Sequence, residues 1–142
     1  MNILVSACLI GIGCRYDGKS VINDDAMALM EKYTVIPYCP EVYGGLPTPR
    51  CPAEIKGNHV ITKEGTDVTK QYAAGAKEAL RLCKLYDCQY AVLKEKSPSC
   101  GSGLIYDGTF TGTLIDDDGM TAKLLKAAGI RVIGESQIKR IL

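Results

Sequence analysis

Three short, predominantly apolar runs set the rhythm of the chain: Ile3-Leu-Val-Ser-Ala7, Thr34-Val-Ile-Pro-Tyr38 and Tyr90-Ala-Val-Leu93. Each predicts a strand, and the first run is of the sort buried on both faces of a parallel sheet. Between them the period lengthens. From Asp67 to Lys84, Val68, Tyr72, Ala76, Ala79, Leu80 and Cys83 recur at helical spacing, which makes Cys83 a core position. Asn23 followed by Asp24 and Asp25 predicts a helix start, because an amide cap and carboxylates suit the free N–H groups and the dipole there. That helix ends near Lys32. A later helix runs from Met120 to Ala128 and stops at Gly129. Ile130–Gly134 is a last strand, and Ser136 caps a final turn. Asn58–Thr62 predicts a small extra strand, and Leu104–Gly112 a hairpin turning at Asp107-Gly108. Alternating strands and helices predict an α/β fold, a small Rossmann-like three-layer domain with a parallel sheet and a β-hairpin insertion. No repeat or linker interrupts it, so 1–142 reads as one domain.

Each of the three strands also runs out onto a cysteine: Cys8, Cys39-Pro-Glu41, and Ser97-Pro-Ser-Cys100-Gly101. Ligands bind beyond the carboxyl ends of parallel strands, so three sulfurs delivered to that edge suggest a metal centre. Cys14 and Cys51 follow in the same loops. Neither the Cys8/Cys14 nor the Cys39/Cys51 spacing is the two-residue knuckle of a structural zinc site. Thiolates gathered by a fold suit zinc and iron–sulfur clusters alike, and spacing does not choose between them. The single histidine, His59, stands apart from other ligands and reads as ordinary. Gly11 and Gly13 look superficially like a phosphate loop. They lack both the third glycine of a dinucleotide fingerprint and a Gly-Lys-Ser/Thr, so neither NAD nor ATP is an expected ligand. Asp116-Asp-Asp118 lacks EF-hand spacing and reads as a solvated loop opening the next helix. The proline-rich stretch from Val42 to Glu54 reads as a rigid, irregular functional loop.

Composition narrows the picture. The 142 residues, 46% apolar and 23% charged, suffice for a real core. A net charge of +1 provides no basic field for strong nucleic-acid binding. No apolar run approaches a membrane span, and Met1–Ile10 lacks the layout of a signal peptide, so the expected location is cytoplasmic. Seven cysteines in a reducing compartment point to metal or thiol chemistry rather than disulfides, with Cys83 and Cys88 read as core. Three classes stay open: a metal- or cluster-dependent enzyme, a non-catalytic zinc or iron–sulfur module sensing sulfide or iron, and a thiol-redox enzyme using an activated cysteine.

The motifs taken together resemble a family. Ser6-Ala-Cys-Leu9 with Cys14-Arg-Tyr-Asp-Gly18, Cys39-Pro-Glu41 with Gly44-Gly-Leu46 and Pro49-Arg50, Asp67-Val-Thr69 with Gly75-Ala76, and Ser97-Pro-Ser-Cys-Gly101 with Ile105-Tyr-Asp-Gly108 resemble those of the bacterial domain-of-unknown-function 523 family, to which the thiouracil desulfidases belong. The resemblance spans nearly the whole chain.

The resemblance implies a [4Fe–4S] cluster held by three cysteines, with one iron open as a Lewis acid for a thiocarbonyl sulfur. Cys8 and Cys100 match the family motifs. Cys39 is taken as the third ligand because its strand-end position parallels theirs, with Cys14 the rival and Cys51 a weaker one. Water would attack the carbon that carried the sulfur, converting C=S to C=O with sulfide release and no net electron transfer. The expected partner is a small thiolated base or nucleotide of the 2-thiouracil kind. Glu41, two residues past a ligand, is the candidate to activate water, its plainer role being to satisfy backbone amides or Arg50. Ser97 is the candidate to relay a proton or orient substrate, its plainer role being a loop cap. Arg50, Tyr16 and Lys94 are candidates to position a base or phosphate.

Overall fold

The computed structural model describes residues 1–142. In chain order its elements are β1 (Asn2–Ser6), α1 (Asp24–Ala28), β2 (Thr34–Tyr38), α2 (Pro40–Tyr43), β3 (Ala53–Lys56), β4 (His59–Thr62), α3 (Thr69–Leu85), β5 (Tyr90–Leu93), β6 (Leu104–Tyr106), β7 (Leu114–Asp116), α4 (Met120–Ala127) and β8 (Arg131–Gly134). The apolar runs become a four-stranded sheet in the order β2-β1-β5-β8, every pair parallel. β1 is central, which is why Ile3, Leu4 and Val5 are fully buried.

Alternation along β1 sends its side chains to two separate cores. Ile3 and Val5 pack with Ala26 and Leu29 from the α1 region and with Ile138 of the C-terminal 3-10 turn. Leu4 packs on the other face with Ala79 and Cys83 of α3 and with Ala122 and Leu125 of α4. These are the three layers of a Rossmann-like α/β domain. Cys83 and Cys88 belong to the second core, as helical spacing predicts for Cys83.

The expected helix caps form: Asn23 Oδ1 accepts from Ala26 N at 3.0 Å, and Gly129 takes the left-handed conformation, φ 85°, beyond α4. The structure departs from the sequence expectations in several details. β1 ends at Ser6, and Ala7–Ile10 forms a 3-10 turn that carries Cys8. The stretch after Cys39 begins as α2, whose Pro40 at the first position gives up only an N–H with no partner in a helix anyway. The strand at His59–Thr62 has an antiparallel partner, β3. The second hairpin does not turn at Asp107-Gly108; β6 pairs with β7 across residues 107–113. There the hydroxyls of Thr109, Thr111 and Thr113 link to one another at 2.6 and 2.9 Å, and polar side chains that satisfy themselves locally favour a loop over a ladder. Ser136 caps nothing: Gly134 holds the cap position, while Ser136 N donates to Glu95 Oε1 at 2.8 Å.

α2 lies against α3 at backbone distance. A Cβ on Gly75 would meet Pro40 O at 1.9 Å, and one on Gly44 would meet Gln71 O at 2.0 Å. Two glycines thus let a four-residue helix seat directly on a long one and carry Cys39 and Glu41 into place. Gly75→Ala is expected to destabilise the chain by about 3 kcal/mol in urea unfolding, the upper range for overpacking, since backbone rather than a flexible side chain must move. An unchanged midpoint would show that the two helices have room to part.

Candidate functional site

The carboxyl ends of β1, β2 and β5 open into one cavity of about 570 Å³, whose walls include Cys8, Cys14, Cys39 and Cys100 together with Glu41 and Ser97. Each thiol arrives on a different support. The 3-10 turn after β1 carries Cys8, and Cys39 is the residue before α2. The segment from Ser97 to Gly101 is anchored to the start of α4 through Ser99 and Thr121, whose fully buried hydroxyls meet at 2.7 Å, and through Met120 N donating to Pro98 O at 2.9 Å. Cys100 follows from that anchor. Cys14 is held by its carbonyl, which accepts from Arg50 Nη2 at 2.8 Å and from the Cys39 thiol at 3.7 Å. Cys51 is half-buried between two wall residues but does not line the cavity, and Cys83 and Cys88 lie away from it.

The thiols interact. The neighbouring Cys39 favours the Cys14 thiolate, but the nearby Cys8 thiol and burial outweigh it and push Cys14 up to about 11. Cys39 is raised by its bond to Cys14 and by burial. Burial pushes Cys100 up to about 12, opposed by a hydrogen bond from Ser6. Thiols raised in this way are poor nucleophiles, and a metal binding them must displace their protons. No three Cys, His, Asp or Glu side chains converge closely enough for a single metal ion. The donor set is soft and spread around a cavity, which suits a multi-iron cluster better than one ion.

Glu41 is clamped through one oxygen. Its Oε1 accepts from Tyr72 OH at 2.7 Å and from Arg50 Nε at 3.1 Å, while Oε2 has no protein partner. Arg50 is itself spent: Nη1 donates to Thr48 Oγ1 and Pro47 O, and Nη2 to Cys14 O, leaving the side chain 5% exposed. Burial and the neighbouring carboxylate keep the Tyr72 phenol protonated, so it is a permanent donor. Ser97 Oγ accepts from Ser99 N and Cys100 N, each at 3.1 Å, and its own hydrogen goes to no protein acceptor. The loop-cap role is therefore present, and a donor remains. Tyr16 is an exposed wall residue under the Arg15 guanidinium. Lys94 is also in the wall, with Nζ paired to Glu135 Oε2 at 2.8 Å. His59 is exposed, paired with Asp67 at 2.9 Å and remote from the thiols.

Two wall residues were not foreseen. Tyr72 reads in the sequence as one more apolar position of α3, and nothing local announces its hydroxyl's contact with Glu41. Glu54 is a buried carboxylate whose Oε1 accepts from Gly108 N at 3.0 Å and Phe110 N at 3.2 Å, tying the 107–113 loop over the cavity. Only the placement of Glu54 at the end of the proline-rich stretch hinted at a role.

An α/β sheet whose strand ends bring thiols and a clamped carboxylate to one crevice defines a protein with a thiol-lined candidate metal centre. A family model described as 2-thiouracil desulfurase matches residues 3–137, and the chain belongs to that family. It is 45% identical to the uncharacterized protein YbbK of Bacillus subtilis (strain 168), over 99% of both chains. Among solved structures it is similar to the [4Fe-4S]-dependent thiouracil desulfidase TudS, with 47% identity, a TM-score of 0.93, and coverage of 99% of this chain and 94% of that one. No helix is long and apolar enough to cross a membrane.

Proposed function

We propose that this protein is a desulfidase that removes sulfur from a thiolated pyrimidine of the 2-thiouracil kind, giving the oxo compound and sulfide. The observation that carries the reading is the gathering of Cys8, Cys14, Cys39 and Cys100 with Glu41 in one cavity of a chain of this family. The similar TudS structure, named for a [4Fe-4S]-dependent activity, supports the same cofactor here. We assign Cys8, Cys39 and Cys100 to hold it, with Cys14 as the alternative to Cys39. A [4Fe–4S] cluster on three thiolates supplies an open iron, a Lewis acid with affinity for sulfur.

The reaction balances without electrons: water contributes the oxygen, carbon keeps its oxidation level, and sulfur leaves as sulfide with the two protons. Glu41 Oε2 takes the proton from the attacking water, while Tyr72 and Arg50 hold the carboxylate through Oε1. Arg50 thereby serves substrate through Glu41 rather than by touching it. Ser97, its oxygen occupied by two amides, donates its hydrogen to a ring heteroatom. Tyr16 offers the base an apolar face at the mouth. A cavity of this size lies in the usual range for small-molecule sites and leaves room for the base beside a cluster. The thiol-redox alternative asks for an activated cysteine, whereas Cys14, Cys39 and Cys100 are all raised.

Anaerobic reconstitution with iron and sulfide should yield a brown protein that releases sulfide from 2-thiouracil with no added reductant. A fully loaded protein that releases none from a panel of thiolated bases would refute the reading.

A further inference from the structure

The pairing of β1 with β5 ends at Val5 and Val92. Beyond that point Lys94 N finds no ladder carbonyl and instead donates to the side chain of Ser6, Oγ, at 2.9 Å. The two strands diverge here, with β2 on the outer side of one and β8 on the outer side of the other, and the cavity opens at their ends. Ser6 is 3% exposed, at the inner wall of the cavity. With the Lys94 amide occupying an oxygen lone pair, the direction of the hydroxyl hydrogen is set. It points to the sulfur of Cys100, 3.5 Å away and the only acceptor Ser6 has.

We propose that Ser6 is a positioning residue for the metal centre, delivering one hydrogen bond to the Cys100 sulfur when that sulfur ligates iron. The inference rests on the reading of Cys100 as a cluster ligand. A hydroxyl pointed at a ligating sulfur draws electron density from it, which weakens its donation, makes the iron it holds a stronger Lewis acid and raises the reduction potential. The geometry is built for permanence. The hydroxyl cannot rotate toward the cavity without abandoning both partners, because the amide that fixes its oxygen belongs to the backbone leaving β5. Ser6 touches the sulfur rather than the substrate, and its effect on the reaction passes through the cluster.

The test uses a matched pair. Ser6→Thr keeps the hydroxyl, while Ser6→Val has the same shape without it, so packing is constant and only the hydroxyl's two hydrogen bonds, to the Lys94 amide and to the Cys100 sulfur, differ. In reconstituted holo-protein, potentiometry followed by electron paramagnetic resonance should give the Thr variant the native midpoint potential and the Val variant a more negative one, with equal iron content. Equal potentials in two loaded variants would overturn the inference. So would a Val variant that fails to hold iron while Thr holds it, because the hydroxyl would then be a requirement of assembly and not a tuner of sulfur. Cys100→Ala serves as the separate control: full iron content in that variant would remove Cys100 from the ligands and sink the reading on which the inference stands.

Discussion

Glu41→Ala is expected to leave a brown, fully loaded protein that has lost turnover by roughly two to four orders of magnitude, the usual worth of a positioned acid or base. The residue stands beside the thiols without being one of them, so iron content should hold. Removing the carboxylate also frees Tyr72 OH and Arg50 Nε, which lose their shared acceptor at 2.7 and 3.1 Å. Glu41→Gln separates the effects: it preserves an acceptor for both donors but cannot take a proton, and should be almost as inactive as the Ala variant. Ser97→Ala should lose less, since it withdraws one hydrogen bond. If sulfide release by Glu41→Ala matches the native rate, another group activates the water. Iron and sulfide assays alongside single-turnover release make the comparison.

Loss of the cluster itself is the second large effect. Cys8→Ala, Cys39→Ala and Cys100→Ala should each bind markedly less iron on reconstitution if, as proposed above, each supplies one of three thiolate anchors. The instructive comparison is Cys14→Ala. The Cys39 thiol donates to the Cys14 carbonyl at 3.7 Å, so the two candidates for the third ligand are neighbours. A Cys14→Ala protein that keeps its cluster while Cys39→Ala does not would establish Cys39 as the third ligand, and the opposite result would exchange them. Cys83→Ala, in the core between the sheet and α3, should cost about 1 kcal/mol of stability and no iron.

The skeleton of this arrangement is legible in the sequence because its inner strands β1 and β5 are runs of buried apolar residues and three strands lead toward cysteines. Burial dictates the first property, and the second shows in the residues that succeed each apolar run. The helix α3 announces itself by period, α4 by its stop at Gly129, and the α1 cap by Asn23. What stays hidden is of two kinds. The first is elements too short for a period to register, such as α2 with four residues, or β3 at the end of a run of prolines. The second is contact between residues far apart in the chain. Glu41 appears as a lone carboxylate, and its clamp by Tyr72 depends on the backbone approach that Gly44 and Gly75 allow. Arg50 shows the same limit from the other side: as a cation near cysteines it suggests substrate binding, and only the fold reveals that its donors are committed to Glu41, Thr48, Pro47 and Cys14.

The central position of β1 carries a consequence for the order of events in synthesis. β1 is made well before its inner partner β5, which begins at Tyr90, and the Cys100 sulfur comes later still. Until that long loop closes, Cys8 and Cys14 follow a strand that has a neighbour on one side at most, and the cavity has only part of its wall. Closing it costs chain entropy that no nearby contact returns in advance, so the site belongs to the slow, non-local part of folding. A chain still emerging from the ribosome at residue 80 can hold the first four cysteines but not the enclosure that gathers them. Assembly of the proposed centre therefore waits until the segment through Cys100 has been made, and any stabilisation from iron binding by mass action becomes available only then.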